Sequence, residues 1–352
     1  MNVFDEQLRV NLGSTTVPPA PTLVGAPQIS WFHESGRSKG RYVALAGSLA
    51  VVGVHGEQPT WDYYEDIDFQ TQVIDLVDGV RRWHRDDCVP RGVVEGVVVV
   101  SPPGSGELEG HALETGSSLW KARLPGDHFK LVEGSIYSWR DNTLYQASWA
   151  DPNRAPEAPT KRQLELVSDV RRRDGLVLVT SWRAKPQVTV FHRVWRGEQA
   201  VWEWDSSQAG DSDVLLDEHG WVLRTSQVLE GYSGLGERLW AGPGYGRCWM
   251  SPSWVVGVDS HEQLWAVERL TGQRHPGPAC PGGCWEVTIS GDSGWLVERR
   301  TRMLTGFRLR GEVFHRERQP EGLGTYGINR LYPWNGGLIA AGDGGNLAFL
   351  TV

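Results

Sequence analysis

Residues 106–120 read GELEGHALETGSSLW: a short strand-like run, a Thr115-Gly116 turn, and Trp120 four residues after Gly116. The same spacing recurs at Gly79 and Trp83, at Gly236 and Trp240, and with a histidine in the ring position at Gly311 and His315. The intervals from Trp83 to Trp120, from Trp202 to Trp240 and from His275 to His315 are 37, 38 and 40 residues. A repeat of this length built from short strands is the sequence mark of a β-propeller blade.

A second marker keeps the same time. An apolar stretch broken by a small turn and resumed as a β-rich run occurs around Gly47, Gly96, Gly134, Gly175, Gly220, Ser253, Gly294 and Gly337. The steps are 49, 38, 41, 45, 33, 41 and 43 residues. Asp-Gly, His-Gly and Asn-Gly pairs before β-branched runs are hairpin signals, because Gly, Asn and Asp accept positive φ at low cost.

These marks predict an all-β chain forming a single closed β-propeller over residues 1–352, with eight four-stranded blades. Seven is the alternative, because the third unit shows no clear ring near residue 162. Only 15 residues follow Gly337, too few to complete the last blade. Its missing outer strand is expected from residues 1–12, where Phe4–Leu12 (FDEQLRVNL) alternates roughly as a strand does. Such closure removes a free sheet edge. Residues 13–30, rich in Pro and small side chains, are then a linker, and 31–352 hold the blades.

Composition agrees. Forty-three glycines and three methionines in 352 residues suit a turn-rich β protein. The net charge of −8 is spread along the chain, and short basic runs such as Arg171-Arg172-Arg173 read as solvated charge, so nucleic-acid binding is not favoured. MNVFDEQLRV is not a basic region followed by an apolar core, and no stretch approaches the ~18 apolar residues of a membrane helix. A cytoplasmic setting is expected. Cys88, Cys248, Cys280 and Cys284 are too sparse for a disulfide framework. Cys280 and Cys284 flank Pro-Gly-Gly; free thiols are the expectation, with a disulfide, or zinc shared with Cys248 and His275, as the other readings.

Insertions fall at 56–70, 150–160 and 276–284. In the first, Trp61, Tyr63, Tyr64 and Phe69 alternate with Asp62, Glu65, Asp66 and Asp68. Rings beside carboxylates make good recognition surface, which marks Trp61, Asp62, Tyr63, Tyr64, Glu65, Asp66 and Asp68 as a partner-binding loop. The other reading is a long surface hairpin kept soluble by its acids. The acids lack the ligand spacing of a calcium-binding EF-hand loop.

Three stretches carry a family resemblance. GELEGHALETGSSLW (106–120), EQLWAVERLTGQRH (262–275) and TQVIDLVDGVRRW (71–83) resemble the repeat of the PQQ-like, or quinoprotein-like, β-propellers. That repeat has a strand, Ala-apolar-Asp, Thr-Gly, and a Trp four residues after the Gly. GDGGNLAFLTV (342–352) resembles only its first half. The resemblance implies rings packed between neighbouring blades, a role assigned here to Trp83, Trp120, Trp202 and Trp240. It would also imply a quinone beside calcium and a catalytic Asp. No residue set here carries those over, there is no adjacent Cys-Cys pair, and the chain is much shorter than those enzymes, so no cofactor and no metal are expected.

Other chemistry is thin. There is no G-x-S-x-G nucleophile elbow. His261-Glu262 starts a zincin-like motif, but residue 265 is Trp and the segment reads as a hairpin. Gly242–Gly246 lacks the Lys-Ser/Thr of a phosphate loop, and Asp86 and Asp87 would point apart on a strand. The expectation is a non-catalytic propeller, an interaction platform or accessory subunit of a larger bacterial assembly with a protein partner. A sugar- or small-molecule-binding propeller using Trp61, Trp139, Trp149 or Trp182 is the second reading, and an enzyme with its site at the channel mouth the third.

Overall fold

The computed structural model describes residues 27–351 apart from short stretches, the longest being 57–67, 149–165, 184–188 and 207–211. Among the described residues all regular structure is β, in strands of four to eight residues. They form seven four-stranded sheets and one three-stranded sheet. In chain order these occupy 39–86, 89–123, 128–148, 166–205, 212–243, 247–279, 284–318, and 328–351 joined by 28–33. They are called the first to eighth sheets below. The third has three described strands, and the stretch where its ring was sought, near 162, lies outside the described residues.

In the first seven sheets each strand pairs with the next in sequence, so every sheet is an antiparallel meander. The turn markers fall on or within three residues of the hairpin between first and second strands: Gly47 lies between Lys39–Ala46 and Leu49–His55, and Gly96 between Val89–Val94 and Val97–Ser101. Gly47 and Gly96 have φ of +62° and +78°, the left-handed region where only Gly is at ease. The other end of the scale is Gly294, which lies inside its strand, the turn being made by Gly291.

The second strands explain the stacking. Val97–Ser101 is buried along its whole length, as a strand must be when both faces are covered. Because side chains alternate between faces, Val98 and Val100 join Leu49, Val51 and Val73 of the first sheet. Val97 and Val99 join Phe129, Leu131 and Ile136 of the third. The fifth and sixth sheets repeat this division: Leu223 packs with Leu176 and Leu178 of the fourth sheet, while Val222 packs with Val255 of the sixth. Val256 then packs with Leu296 of the seventh. Fourth strands are the opposite. Arg81–Asp86 and Ser118–Arg123 are mostly exposed, and their tryptophans are half-buried.

By internal contacts the chain divides into two units, built around Trp31–Arg171 and around Arg172–Gly342. The first unit has the cores shared by the first three sheets. The second has those shared by the fourth and fifth, fifth and sixth, sixth and seventh, and seventh and eighth sheets.

The strand beside Leu347–Thr351 is Gln28–His33. It takes the place expected for Phe4–Leu12, which lies outside the described residues, and it begins inside the stretch read as linker. The Thr351 hydroxyl donates to the Gln28 carbonyl (3.2 Å) and accepts from Ser30 Oγ (3.3 Å). Just beyond, Ser35 N–H donates to Asn346 Oδ1 (2.9 Å) and Ser35 Oγ–H to the Gly344 carbonyl (2.6 Å). A second boundary also moves. Residues 276–279 of the connector expected at 276–284 belong to the strand Arg274–Ala279 and Cys284 opens the next strand, which leaves 280–283 as the connection. Its prolines sit on a fourth strand, an edge where a missing N–H is tolerated.

Candidate functional site: ring sockets and their exposed fringe

Three fourth-strand tryptophans share one arrangement with the sheet that follows. Trp83 Nε1–H donates to the Leu113 carbonyl of the second sheet (2.7 Å), and its ring covers Gly116. Trp240 donates to the Arg269 carbonyl and covers Gly272 of the sixth sheet. Trp31, on Gln28–His33, donates to the Leu76 carbonyl (2.9 Å) and covers Gly79 of the first sheet. A Cβ on any of the three glycines would come within 2.7–2.8 Å of the ring, and all three have φ between +71° and +73°. Glycine is needed twice over, for the turn and for the contact.

The rings are also gripped from behind. Gly110 and Gly231, on the third strands of their own sheets, lie under Trp120 and Trp240, where a Cβ would fall 2.2–2.3 Å from the indole. Trp120 packs on the core of the second and third sheets, and its Nε1–H has no partner among the described residues. Trp202 takes a different seat. It meets Trp221 and Tyr232 of the fifth sheet at centroid distances of 5.7 and 5.3 Å, and those two rings stack on one another at 5.6 Å. Burial and the Glu230 carboxylate, which accepts the Tyr232 hydroxyl, push Tyr232 up to about 12.

Polar groups brace these sockets. Asp75 anchors the turn under Trp31: it accepts Arg82 and the Val77 N–H (2.8 Å). The Arg82 guanidinium and that N–H hold its carboxyl below the usual carboxylate range. Glu109, buried on the second sheet, accepts Arg85 of the first sheet (2.6 Å), Lys121 and His111. Burial would raise its pKa, but Lys121, His111 and Arg85 outweigh that and hold it down. His192, stacked on Trp204, bonds Thr180 of its own sheet and Ser212 of the fifth, each at 3.1 Å. Through these bonds His192 ties the fourth and fifth sheets together.

Exposed apolar side chains lie around the sockets. Val77 is 70% exposed, and it precedes Gly79 by two residues. Leu270, in the same place before Gly272, is 68% exposed. Leu235, next to Gly236, is also 68% exposed. Phe32 beside Trp31, Leu119 beside Trp120 and Leu239 beside Trp240 are exposed on the fourth strands. Each unit therefore shows aliphatic side chains at the rims of its own sockets.

Of the expected partner loop, Trp61, Asp62, Tyr63, Tyr64, Glu65 and Asp66 lie outside the described residues. Asp68 is described: it is exposed, pairs with Arg37, and its carbonyl accepts Gly56 N–H (3.1 Å) at the loop's base. Phe69, counted with that loop, is instead a buried strand residue packed on His55 at 5.5 Å. Of the rings set aside for a ligand, Trp139 is 2% exposed and belongs to the core, while Trp182 is 37% exposed. Trp61 and Trp149 are outside the described residues. His261 and Glu262 form the hairpin turn expected of them, Glu262 N–H donating to the Asp259 carbonyl (3.1 Å). Asp86 ends a strand and Asp87 has φ of +54°. Among the described residues no group of three or more His, Cys, Asp or Glu side chains converges as metal ligands. No described helix is long and apolar enough to cross a membrane.

Sequence reading missed Trp31, because no glycine stands four residues before it. The signal was on the receiving side. Each socket glycine needs a ring from the preceding sheet, and Gly79 is the first socket, so its ring had to lie upstream. Glu109 and Arg85 gave no signal, since their meeting depends on which strand faces are opposed.

The strand meanders, the alternating cores and the ring sockets define the class: an all-β propeller. No family model matches the chain, and no curated protein matches it in sequence. Solved structures do match in fold. The computationally designed protein Ika8 superposes with a TM-score of 0.66 at 13% identity, over 92% of this chain and all of that one. Sqt1 of Saccharomyces cerevisiae does so with 0.60 at 8% identity, over 93% and 99%. BamB from Moraxella catarrhalis gives 0.55 at 12% identity, over 93% and 100%.

Proposed function

We propose that this chain is a non-catalytic, PQQ-like propeller that works as a protein-binding platform. The observation that carries the reading is the exposed fringe. Val77 and Leu270, 70% and 68% exposed, hold the same place two residues before Gly79 and Gly272, and Leu235, 68% exposed, directly precedes Gly236. Protein partners bury exposed aliphatic side chains of this kind within a polar rim. Indole hydrogen bonds to the Leu76 and Arg269 carbonyls hold the backbones of the Gly79 and Gly272 turns, so Val77 and Leu270 are presented on a rigid base.

The finer architecture belongs to the same proposal. It has eight blades, the last completed by Gln28–His33, with Trp31 seated on the first. The strand order and the Trp31 socket support this. The acidic aromatic loop of Trp61, Asp62, Tyr63, Tyr64, Glu65 and Asp66, with Asp68 at its base, is a second contact region. Its composition supports that. The setting is cytoplasmic, supported by four cysteines too sparse for a disulfide framework.

The test replaces Leu235 and Leu270 by Asp together and captures interacting proteins from the native host with both forms. The expected outcome is a partner held by the parent and lost by the variant at unchanged melting temperature. Equal capture by both would remove the fringe from the interface.

A further inference from the structure

Cys280 and Cys284 lie at the seam between the sixth and seventh sheets. Cys280 follows the strand Arg274–Ala279, and Cys284 opens the strand Cys284–Ser290. Between them the chain reverses: Gly283 N–H donates to the Cys280 carbonyl (2.9 Å), which folds residue 284 back beside residue 280. Cys280 is itself pinned by its N–H to the Glu262 carbonyl (2.7 Å). The Cys280 thiol donates to the Pro278 carbonyl (3.7 Å), and both cysteines pack in the core that Val256 and Leu264 of the sixth sheet share with Leu296 and Phe307 of the seventh. Cys280 is buried and Cys284 half-buried.

We propose that Cys280 and Cys284 form a thiol–disulfide clip that ties these two sheets together when a small disulfide oxidant is present. Half-buried Cys284 is the sulfur such an oxidant reaches. Its thiolate attacks one sulfur of the oxidant, R–S–S–R, and expels R–S⁻. The Cys280 sulfur then attacks the Cys284 sulfur of the mixed disulfide and expels the second R–S⁻. The two protons lost by the cysteines end on the two released thiols, so one disulfide is exchanged for another. Exchange needs the thiolate. The hydrogen bond with Cys280, burial, and the Cys280 and Glu286 charges push the Cys284 thiol up, with Arg247 opposing. The clip therefore closes slowly near neutral pH, and about tenfold faster for each unit of rise below the thiol pKa. Cys248 does not compete: burial pushes its thiol up to about 12, and it packs in the core of the fifth and sixth sheets.

The experiment treats the intact protein with oxidised glutathione at pH 7 and pH 8, quenches in acid, alkylates in denaturant and digests with trypsin. The peptide 275–299 carries both cysteines. The expected product is that peptide two hydrogens lighter than its reduced form and without alkyl groups, appearing about tenfold faster at pH 8, while Cys88 and Cys248 are alkylated. A dithiol reductant should restore two alkylation sites. Two alkyl groups on the peptide after oxidation, a stable glutathione adduct at Cys284, or a bond from either cysteine to Cys248 would overturn the proposal. As a second readout, oxidation should raise the melting temperature of the parent and leave that of the Cys280→Ser/Cys284→Ser variant unmoved. An equal rise in both would count against the clip.

Discussion

Gly116 shows how much one residue carries here. Its φ is +71° and a Cβ would lie 2.8 Å from Trp83. Gly96 has nearly the same conformation, φ +78°, but nothing within 4 Å of a Cβ. Comparing the two separates backbone strain from socket blockage. Gly96→Ala should cost about 1 kcal/mol, the strain alone. Gly116→Ala should cost about 2–4 kcal/mol, because the ring must also move. Denaturant unfolding of both variants checks this, and equal losses would mean that the ring does not depend on the socket. Trp120→Ala, which opens a cavity in the core of the second and third sheets, should cost about 3–5 kcal/mol. Asp75 adds a pH dependence. Its folded pKa lies below the unfolded value of about 3.9, so its contribution is present above that value and is lost as the pH falls through the folded one. The stability gap between the parent and Asp75→Asn should thus be constant near neutral pH and shrink below about pH 4. A gap unchanged down to pH 3 would contradict the turn anchor. The fourth-strand places of the rings at 83, 120, 202 and 240 were legible because a fixed chain interval implies a fixed place in the repeat, whereas the different seat of Trp202 was not. Glu109 was not, because a buried charge is tolerated only where partners from other strands arrive, and sequence does not display those meetings.

At the scale of the element, strand order in the chain reads directly as strand order in the sheets, since short hairpins leave the next strand no other neighbour. That made seven sheets readable from their turn glycines. The exception is the one pairing that joins distant parts of the chain. Gln28–His33 beside Leu347–Thr351 has no turn to announce it, and Phe4–Leu12 alternates as plausibly on paper. What distinguishes Gln28–His33 is Trp31, which finds a carbonyl and a glycine socket waiting on the first sheet. Trp31→Ala should therefore loosen the strand at both of its faces. Amide hydrogen exchange in Leu347–Thr351 should speed up by more than tenfold, while the sheet at 212–243 keeps its protection. Unchanged protection at the C-terminal strand would mean that Gln28–His33 is held without its ring.

For the whole molecule, the repeat divides its apolar residues into two kinds. Those on second strands alternate inward to the two neighbouring sheets, and Val97 to Val100 are all 6% exposed or less. Those at socket rims point to water, with Val77, Leu235 and Leu270 at 68–70%. Sequence reading picked out the runs of the first kind only as the β-rich arms of hairpins; their burial on both faces is seen in the structure. It looked for a recognition surface in the off-beat aromatic stretch near Trp61 and did not single out the rim residues, because an isolated leucine in a turn carries no periodic signal. If both surfaces serve one partner, their variants should fail alike. Cross-linking mass spectrometry on the partner complex captured from the native host tests the platform most directly. The account predicts cross-links from the partner to residues near Leu235 and Leu270 or to residues 57–67, lost in the Leu235→Asp/Leu270→Asp variant or on replacing Trp61 and Tyr64 by Ser. Recovery of a tightly bound small ligand with no protein partner would contradict it.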